Sequence, residues 1–339
     1  MGRARSALAA AALAVPFAIG TAARSTPDGE VVCRFLDPQI IESSGLVATG
    51  DLLVTTNDSG DTGRVFAVDP DTCETVGVTT WSDDPTDVEA LAPAGKDAVW
   101  VGDIGDNPAS RKSIEVTRVP VGRSDREVDE ETYDLTYPGG PVDAESLLSD
   151  PTTGRLYVAT KEVFGGTLYA VPAHLSADGD NLLRPLGRIT GIATDGAFLP
   201  DGRHLVLRTY TDAVVYAFPS LHRVGSFALP AQEQGEGIAI GADGAVYLSS
   251  EGKRAPVRRV ELPASIRGAM AGSPSGGPSG SPTTVPSESS SGSPTDGPTE
   301  GPAEQPAEDS ADPELWPWLA GLALFAGAVV VLVRSLRPR

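Results

Sequence analysis

A repeated pattern of short β-strand signals constrains this chain of 339 residues more than any other feature. Runs of β-branched and aromatic residues recur between Asp-Gly, Asn-Asp, Pro-Gly and Gly-Gly turn signals, and helix periodicity is nearly absent. Counted from the apolar positions Leu46, Leu91, Leu147, Ala197 and Ile238, the repeats are spaced by 45, 56, 50 and 41 residues. Repeats of this length with four strands each are typical of a β-propeller.

The number of strands predicts how the propeller closes. Four repeats supply four strands each, whereas the last repeat stops at Leu262 with three. A strand from Val31 to Phe35 would complete this last blade and remove an open sheet edge. We therefore predict an all-β propeller over residues 31–263, with five four-stranded blades closed by the N-terminal strand. A six-bladed ring, made by splitting the long second-to-third interval, is the alternative.

The N-terminal residues have the layout of a secretory signal peptide. Arg3 and Arg5 precede an apolar run from Leu8 to Ile19, and small residues follow up to Ala23. We predict that residues 1–23 are a cleaved signal. A retained membrane anchor is the alternative, although the run is short for a span of about 20 residues.

The C-terminal residues predict a membrane anchor. Residues 315–333 carry no charge, Trp316 and Trp318 lie at one edge, and residues 334–339 form a basic tail. Basic residues stay on the cytoplasmic side, so we predict one transmembrane helix with the N-terminal domain extracytoplasmic. The tail resembles a Gram-positive wall-sorting signal but lacks the LPxTG-type motif, which favours a permanent anchor. A buried soluble helix is the alternative.

Residues 264–314 join these parts and are predicted to be a disordered stalk. The tract is rich in Ser, Pro, Gly, Thr and Ala, and residues 268–314 contain eight acidic and no basic residues. Such a composition cannot bury enough apolar surface to offset the entropy of ordering it. The expected location is therefore the cell membrane, as a single-pass protein held away from the bilayer.

Charge and cysteine content exclude several classes of protein. A net charge of −20 argues against nucleic-acid binding, which needs clustered Lys and Arg along phosphates. Two cysteines cannot form a four-thiolate zinc site. Cys33 lies on the closing strand and Cys73 precedes the fourth strand of the first blade, so they meet at the seam of a closed ring. We predict a disulfide between them; two free buried thiols are the alternative.

Polar residues at the strand ends predict a site at the channel mouth, where the innermost strands start and the second strands end. The innermost strands begin near Glu89, Glu145, Asp195 and Glu236. The metal-ligand candidates are Glu89, Asp103, Glu145 and Glu236, whose oxygens suit Ca²⁺ or Mg²⁺ without establishing a cofactor. The ligand-binding candidates at the second-strand ends are Asn57, Asp58, Asp103, Lys161, Arg208 and Glu251. Structural locking of neighbouring blades, ligand or metal binding, and catalysis all stay open.

Several segments together resemble a group of uncharacterised actinobacterial β-propeller proteins, secreted or membrane-anchored. The segments are Glu42-Ser43-Ser44-Gly45-Leu46, Asn57-Asp58-Ser59-Gly60-Asp61, Asp87-Val88-Glu89, Gly102-Asp103-Ile104-Gly105-Asp106-Asn107, Leu207-Arg208-Thr209-Tyr210 and Gln234-Gly235-Glu236. This group carries WD40-like or phytase/esterase-like labels, although the Trp-Asp endings of WD40 blades are absent here. The resemblance implies a propeller in an extracytoplasmic setting, and it implies no reaction, because a fold alone does not determine activity.

Two functions follow as hypotheses. The first is a membrane-tethered module that binds a small ligand or a protein of the cell envelope; the anchor, the stalk and the lack of familiar catalytic motifs favour it. The second is a divalent-metal-dependent hydrolase of a phosphoester, lactone or ester at the channel mouth. There, carboxylates would hold the ion and Lys161 or Arg208 would stabilise negative charge. The sequence leaves open whether the protein is an enzyme.

Overall fold

The computed structural model describes residues 29–58, 60–81, 85–179 and 181–272. The predicted signal peptide, the transmembrane segment 315–333 and the basic tail 334–339 lie outside the described residues. In the described part of the chain, no helix has the length and apolar character needed to cross a bilayer.

The described residues form five antiparallel blades, as predicted. Blade 1 contains β2 (Ser43–Thr49), β3 (Leu52–Asn57), β4 (Arg64–Val68) and β5 (Thr75–Trp81). Blade 2 contains β6 (Val88–Pro93), β7 (Ala98–Asp103), β8 (Ile114–Pro120) and β10 (Thr132–Thr136). Blade 3 contains β11 (Ala144–Ser149), β12 (Leu156–Thr160), β13 (Thr167–Ala170) and β15 (Arg184–Arg188). Blade 4 contains β16 (Asp195–Phe198), β17 (His204–Arg208), β18 (Asp212–Ala217) and β19 (His222–Ala228).

Blade 5 joins the two ends of the described chain. It contains β20 (Ile238–Ile240), β21 (Val246–Leu248), β22 (Pro256–Val260) and the N-terminal strand β1 (Glu30–Arg34). Strands β1 and β22 are antiparallel, with Val31 opposite Arg258 and Cys33 opposite Val257. The predicted closure by the N-terminal strand is therefore confirmed.

The long second-to-third interval adds an edge strand and not a sixth blade. Within it, β9 (Arg126–Val128) pairs in parallel with β5 and becomes the fifth strand of blade 1. Blade 2 gains a fifth strand in the same way, because β14 (Asn181–Leu182) pairs in parallel with β10. Both strands come from the following blade region and cover an outer edge that would otherwise expose unpaired backbone groups.

Five apolar clusters of described residues lie between neighbouring blades. Each cluster contains a fully buried side chain. In order around the ring, from the interface of blades 1 and 2 to that of blades 5 and 1, these are Val99, Leu147, Leu168, Val215 and Phe66. Burying a side chain of this size contributes about 1.5–3 kcal/mol, so the ring is held mainly by these five interfaces.

The seam between blades 5 and 1 holds both cysteines, but the predicted disulfide is not formed and both are free thiols. The two side chains pack in the same cluster, and the Leu36 N–H donates to the Cys73 carbonyl at 3.3 Å. Burial, and then contact with Cys73, raises the pKa of the Cys33 thiol. The buried thiol therefore stays protonated, and it is the thiolate that reacts to form a disulfide.

A short helix extends the folded region into the segment predicted as a stalk. Helix α1 (Ala264–Gly272) packs on blade 4 through Ile266, which is buried. A side chain at Gly225 of β19 would collide with the Ile266 Cδ1 atom at 2.6 Å, so the helix lies directly on bare backbone. Residues 273–314, the remainder of the predicted stalk, lie outside the described residues.

Arg208 links blades 4 and 5 through buried hydrogen bonds. This fully buried residue donates from Nη1 to the carbonyls of Gly237 (2.6 Å) and Ser249 (2.8 Å), and from Nη2 to Gln232 Oε1 (2.8 Å). A Cβ at Gly235 would lie 1.8 Å from Arg208 Nη2, so the guanidinium packs directly against glycine backbone. Arg208, predicted as a ligand-binding residue, is therefore fully buried, and both of its Nη atoms already donate within the protein.

Replacing Arg208 should destabilise the ring. We expect Arg208→Met to lower the free energy of unfolding by about 3–5 kcal/mol, because buried acceptors and carboxylates lose their cation. Urea denaturation followed by circular dichroism measures this loss. Arg203→Met, at an exposed arginine of the same blade, is the control and should change it by less than about 0.5 kcal/mol. Equal stabilities of the two variants would contradict the role given to Arg208.

Candidate functional site

Three carboxylates from blades 1 and 2 converge at one mouth of the channel. Asp58 follows β3, Asp87 precedes β6, and Glu89 lies near the start of β6. One ligand-capable oxygen of each lies within 4.8 Å of the others. Glu89 is 6% exposed. Three carboxylates this close repel one another unless a proton or a cation lies between them.

Bulges at the starts of the innermost strands place the glutamates. In β6, Val88 faces Asp103 and Ala90 faces Gly102, so Glu89 is the extra residue. In β11, the register likewise shifts across Glu145, between Ala144 and Ser146. A bulge inserts one unpaired residue and redirects its side chain. The same irregularity in two blades therefore places two glutamates at one mouth.

Asp103 lies beneath this site and supports it. Its carboxylate accepts hydrogen bonds from the backbone N–H groups of Thr86 (2.6 Å) and Asp87 (2.9 Å). It also forms an ion pair with Arg111 at 2.5 Å. Asp103 was predicted both as a metal ligand and as a ligand-binding residue, but its oxygens hold the segment that carries Asp87.

Asn57 has a similar supporting role in blade 1. Its Oδ1 accepts from the backbone N–H groups of Ile41 (3.0 Å) and Glu42 (3.2 Å). Its Nδ2 donates to the Gln39 carbonyl (2.8 Å) and to Asp61 Oδ2 (2.6 Å). The side chain predicted to bind ligand thus holds the segment before β2 in place.

The segment Asp103-Ile104-Gly105-Asp106 needs a glycine at its third position, because the side chains of Asp87 and Glu89 lie too close for a Cβ atom. A Cβ at Gly105 would lie 2.3 Å from Asp87 Oδ2 and 2.9 Å from Glu89 Cγ. The Gly105 N–H also donates to the Asp87 carbonyl at 3.1 Å. The bare backbone of this loop therefore forms one wall of the carboxylate site.

A second group of side chains continues the site toward blades 3 and 4. The Lys161 ammonium contacts Glu145 Oε1 and donates to the Tyr210 hydroxyl at 3.2 Å. Its nitrogen lies 5.6 Å from the centre of the Tyr210 ring. Glu145 is 4% exposed, and among the described residues its Oε2 has no hydrogen-bond partner. One buried acceptor at the mouth is thus left unsatisfied.

Blade 5 contributes Glu236 and Glu251. Glu236 is buried, and its charge interacts with those of Lys161, Glu251 and Asp58. Glu251 accepts from Gln234 Nε2 at 2.7 Å and lies at a bridge with Glu42. Asp195, by contrast, lies deeper and accepts from the N–H groups of Gly196 and Ile238, each at 2.7 Å. It locks blade 4 to blade 5 and is not part of the mouth.

The carboxylates at the mouth are buried, and too few positive charges lie near them to compensate their charge. Burial, then the charges of Glu145, Asp58 and Asp87, raises the pKa of Glu89 to about 10, although the Ser44 hydroxyl opposes this. Burial and neighbouring aspartates raise the pKa of Asp87 to about 6. Burial raises the pKa of Glu236 to about 7, and Lys161 opposes the shift. The site therefore binds protons more tightly than exposed carboxylates do.

The Lys161–Glu145 pair is the charge-compensated part of the site. Burial alone would lower the pKa of Lys161, but the ion pair with Glu145 and the contact with Tyr210 raise it above its ordinary value. The ammonium is therefore charged at neutral pH. Burial raises the pKa of Glu145 even though Lys161 opposes it.

The sequence-based prediction missed two members of the site, Asp87 and Tyr210. Asp87 begins the Asp-Val-Glu segment of blade 2, and blade 3 repeats its spacing in Asp143-Ala144-Glu145. That repeat was a usable signal, yet the two aspartates differ: Asp143 accepts from the Asp106 N–H at 2.8 Å and so supports a loop. The segment Leu207-Arg208-Thr209-Tyr210 carries part of the resemblance, but it does not mark Tyr210 as a site residue, because the place of Tyr210 depends on how blade 4 sits beside Lys161.

Comparisons with known proteins add only a general likeness of fold. No family model matches the chain, and no curated protein matches it significantly. A gluconolactonase from Xanthomonas campestris is 14% identical with a TM-score of 0.42, covering 68% of this chain and 92% of that chain. The hydrazine synthase of Kuenenia stuttgartiensis is 15% identical with a TM-score of 0.37, covering 68% and 59%. These values carry no argument about activity.

The raised pKa values predict how stability depends on pH. Unfolding returns these carboxyls to their ordinary pKa near 4, so the folded state binds more protons above that pH. In metal-free buffer, stability should therefore fall from about pH 4.5 upward, with the loss from Glu89 continuing to about pH 10.

Urea denaturation across this pH range, in the presence of a chelator, measures the effect. Glu89→Gln should flatten the decline and make the protein more stable than wild type at alkaline pH, since a neutral amide replaces the buried charge. Glu127→Gln, on the exposed outer strand β9, is the matched control and should keep the wild-type slope. Stability that rises with pH would contradict the prediction.

Proposed function

We propose that this propeller is a binding module whose acidic channel mouth binds a divalent cation and, through it, an anionic or polyhydroxyl ligand. The observation that carries the proposal is the convergence of Asp58, Asp87 and Glu89, with ligand-capable oxygens within 4.8 Å of one another. Glu145 Oε2, which is buried and has no hydrogen-bond partner among the described residues, supports it independently.

The donor set fits a hard cation. Calcium–oxygen distances are about 2.3–2.6 Å, so two ligands of one ion lie at most about 5 Å apart. The separations among the three carboxylates meet this limit. All three donors are carboxylate oxygens, which suit Ca²⁺ and Mg²⁺ better than softer metals. We favour Ca²⁺, because it accepts the irregular geometry of side chains from two blades, whereas Mg²⁺ demands a near-ideal octahedron.

The residues around the three carboxylates indicate how a ligand would be held. A bound cation would attract an anionic or hydroxyl oxygen, and Lys161, paired with Glu145, offers a charged donor. Tyr210, 37% exposed, offers a hydroxyl and an aromatic face. Ligand recognition would then combine one charge contact at the ion with a second contact at Lys161.

Calorimetric titration of the metal-free protein tests the proposal. We expect Ca²⁺ to bind, and to stabilise the fold by about 2.7 kcal/mol at one hundred times its dissociation constant. Asp87→Asn and Glu89→Gln should each weaken the binding by about tenfold or more, because affinity follows the number of charged ligands.

Asp97→Asn is the matched control, since Asp97 lies in the exposed β6–β7 turn, at the opposite end of the innermost strand. This variant should bind Ca²⁺ as wild type does. Absence of binding and of thermal stabilisation by Ca²⁺ and Mg²⁺ at millimolar concentrations would refute the site. Tighter binding of Mg²⁺ than of Ca²⁺ would overturn the choice of ion.

Hydrolysis of an ester, lactone or phosphoester is the second candidate. Glu145 Oε2 favours it, because in the described part of the chain this atom has no hydrogen-bond partner, and a buried carboxylate with a raised pKa can accept a proton from water. Lys161 would stabilise negative charge on the substrate oxygen. A bound divalent ion would supply Lewis acidity. The calcium-loaded protein is assayed in the same series: turnover lost in Glu145→Gln, with ion binding retained, would favour this function over binding alone.

We further propose that the propeller is extracytoplasmic and tethered to the cell membrane. The support is in the sequence: the signal-like residues 1–23, the acidic tract 273–314, the apolar residues 315–333 and the basic end. The chain should remain in the membrane pellet after a carbonate wash and should begin after Ala22 or Ala23. A variant truncated before Leu315 should instead be released into the medium. Release of the intact full chain by carbonate would overturn the anchor.

A further inference from the structure

A second cavity lies at the opposite end of the channel from the carboxylates. It has a volume of about 660 Å³ and is lined where the innermost strands end, at Thr49, Pro93, Ser149, Phe198 and Ile240. The carboxylate site lies where these same strands begin. The two sites are therefore separated by the length of the innermost strands, and nothing in the proposed function uses the second one.

The inner wall of this cavity is mainly apolar. Leu46, Leu91, Ala197 and Ile238 line it from four different blades. It extends outward to Trp100, whose indole is half-buried beside blade 3. Ligand sites for small molecules have volumes of about 300–1,000 Å³, apolar walls and a few polar groups that orient the ligand. The cavity meets this description in volume and in the chemistry of its walls.

The charged groups that line the cavity are mainly positive. Lys96 lies in the β6–β7 turn and Arg118 on β8, and both line the cavity. Arg118 donates from Nη2 to the Ala94 carbonyl at 3.2 Å, which holds its guanidinium at the rim. Asp150 also lines it, but its oxygens accept from the Thr152 N–H (2.8 Å) and the Thr153 hydroxyl (2.7 Å) of its own turn.

Asp97, beside Lys96, is exposed, whereas three other acidic residues in the turns at this end have basic side-chain partners. Asp51 forms an ion pair with Arg123 at 2.5 Å, Asp201 contacts His204 at 2.7 Å, and Asp243 pairs with Arg259 at 3.3 Å. Two cations thus line the cavity of a protein whose net charge is −20.

We infer that this cavity binds a small amphipathic anion, with its apolar ring or chain inside the channel and its acidic group at Lys96 and Arg118. The apolar walls exclude water from the ligand body, and burial of that body supplies most of the affinity. The two cations select the charge of the head group and not its identity, so carboxylate, sulfonate and phosphate heads are all accepted.

Calorimetric titration of the full chain with 2-naphthalenesulfonate tests the inference, with 2-naphthol as the uncharged probe of similar shape. We expect saturable binding of the sulfonate and weaker binding of 2-naphthol. Lys96→Ala and Arg118→Ala should each weaken sulfonate binding by about fivefold, the scale of one exposed ion pair, and leave 2-naphthol binding unchanged. Lys112→Ala, at an exposed lysine that does not line the cavity, is the matched control.

A cavity-filling variant keeps the test decisive if the charge effects are small. Ala197→Phe places a ring inside the channel and should weaken both probes by about tenfold or more, with thermal unfolding confirming that the variant folds. Sulfonate binding unaffected by Ala197→Phe, or equal affinity for both probes, would overturn the inference. Addition of a chelator should leave naphthalenesulfonate binding unchanged, so failure of the calcium site would not affect this result.

Discussion

Pairing between the first and last strands is the constraint on which the rest of this structure depends. Strand β1 completes blade 5 against β22, and this brings the apolar faces of blades 5 and 1 together around Phe35 and Phe66. Without this pairing, one of the five interblade clusters would open and two sheet edges would be exposed. Closure also fixes the positions of the innermost strands, and hence the distances among groups at both ends of the channel.

The buried charged groups of the closed ring divide into two classes. Arg208 and Asp195 find their partners mainly in backbone groups of the neighbouring blade, so they lock the ring and have little capacity left for a ligand. Glu89 and Glu145 lie in bulges and face other carboxylates, so they are compensated only in part. Groups of the first class link neighbouring blades through hydrogen bonds, whereas those of the second class reduce the stability of the fold once they ionise, because burial raises their pKa.

The sequence predicted the ring well, because alternation and turn signals are local. The blade count and the closing strand are confirmed. The site was harder to predict because side-chain direction is not local. Asp103 and Asp87 lie at the ends of paired strands, yet one binds backbone amides and the other faces the channel. The bulge that redirects Glu89 likewise has no signature in residue type.

The pairing of β1 with β22 also governs the order in which the domain can be completed. The two strands are separated by more than 220 residues, because Arg34 lies opposite Pro256. Contacts between such distant residues are slow to form, since a long loop must close before they are made. A chain that emerges with its N-terminus first must therefore hold β1 unpaired until blade 5 has emerged. During that interval β1 is an unpaired strand, and unpaired strand edges are prone to aggregation.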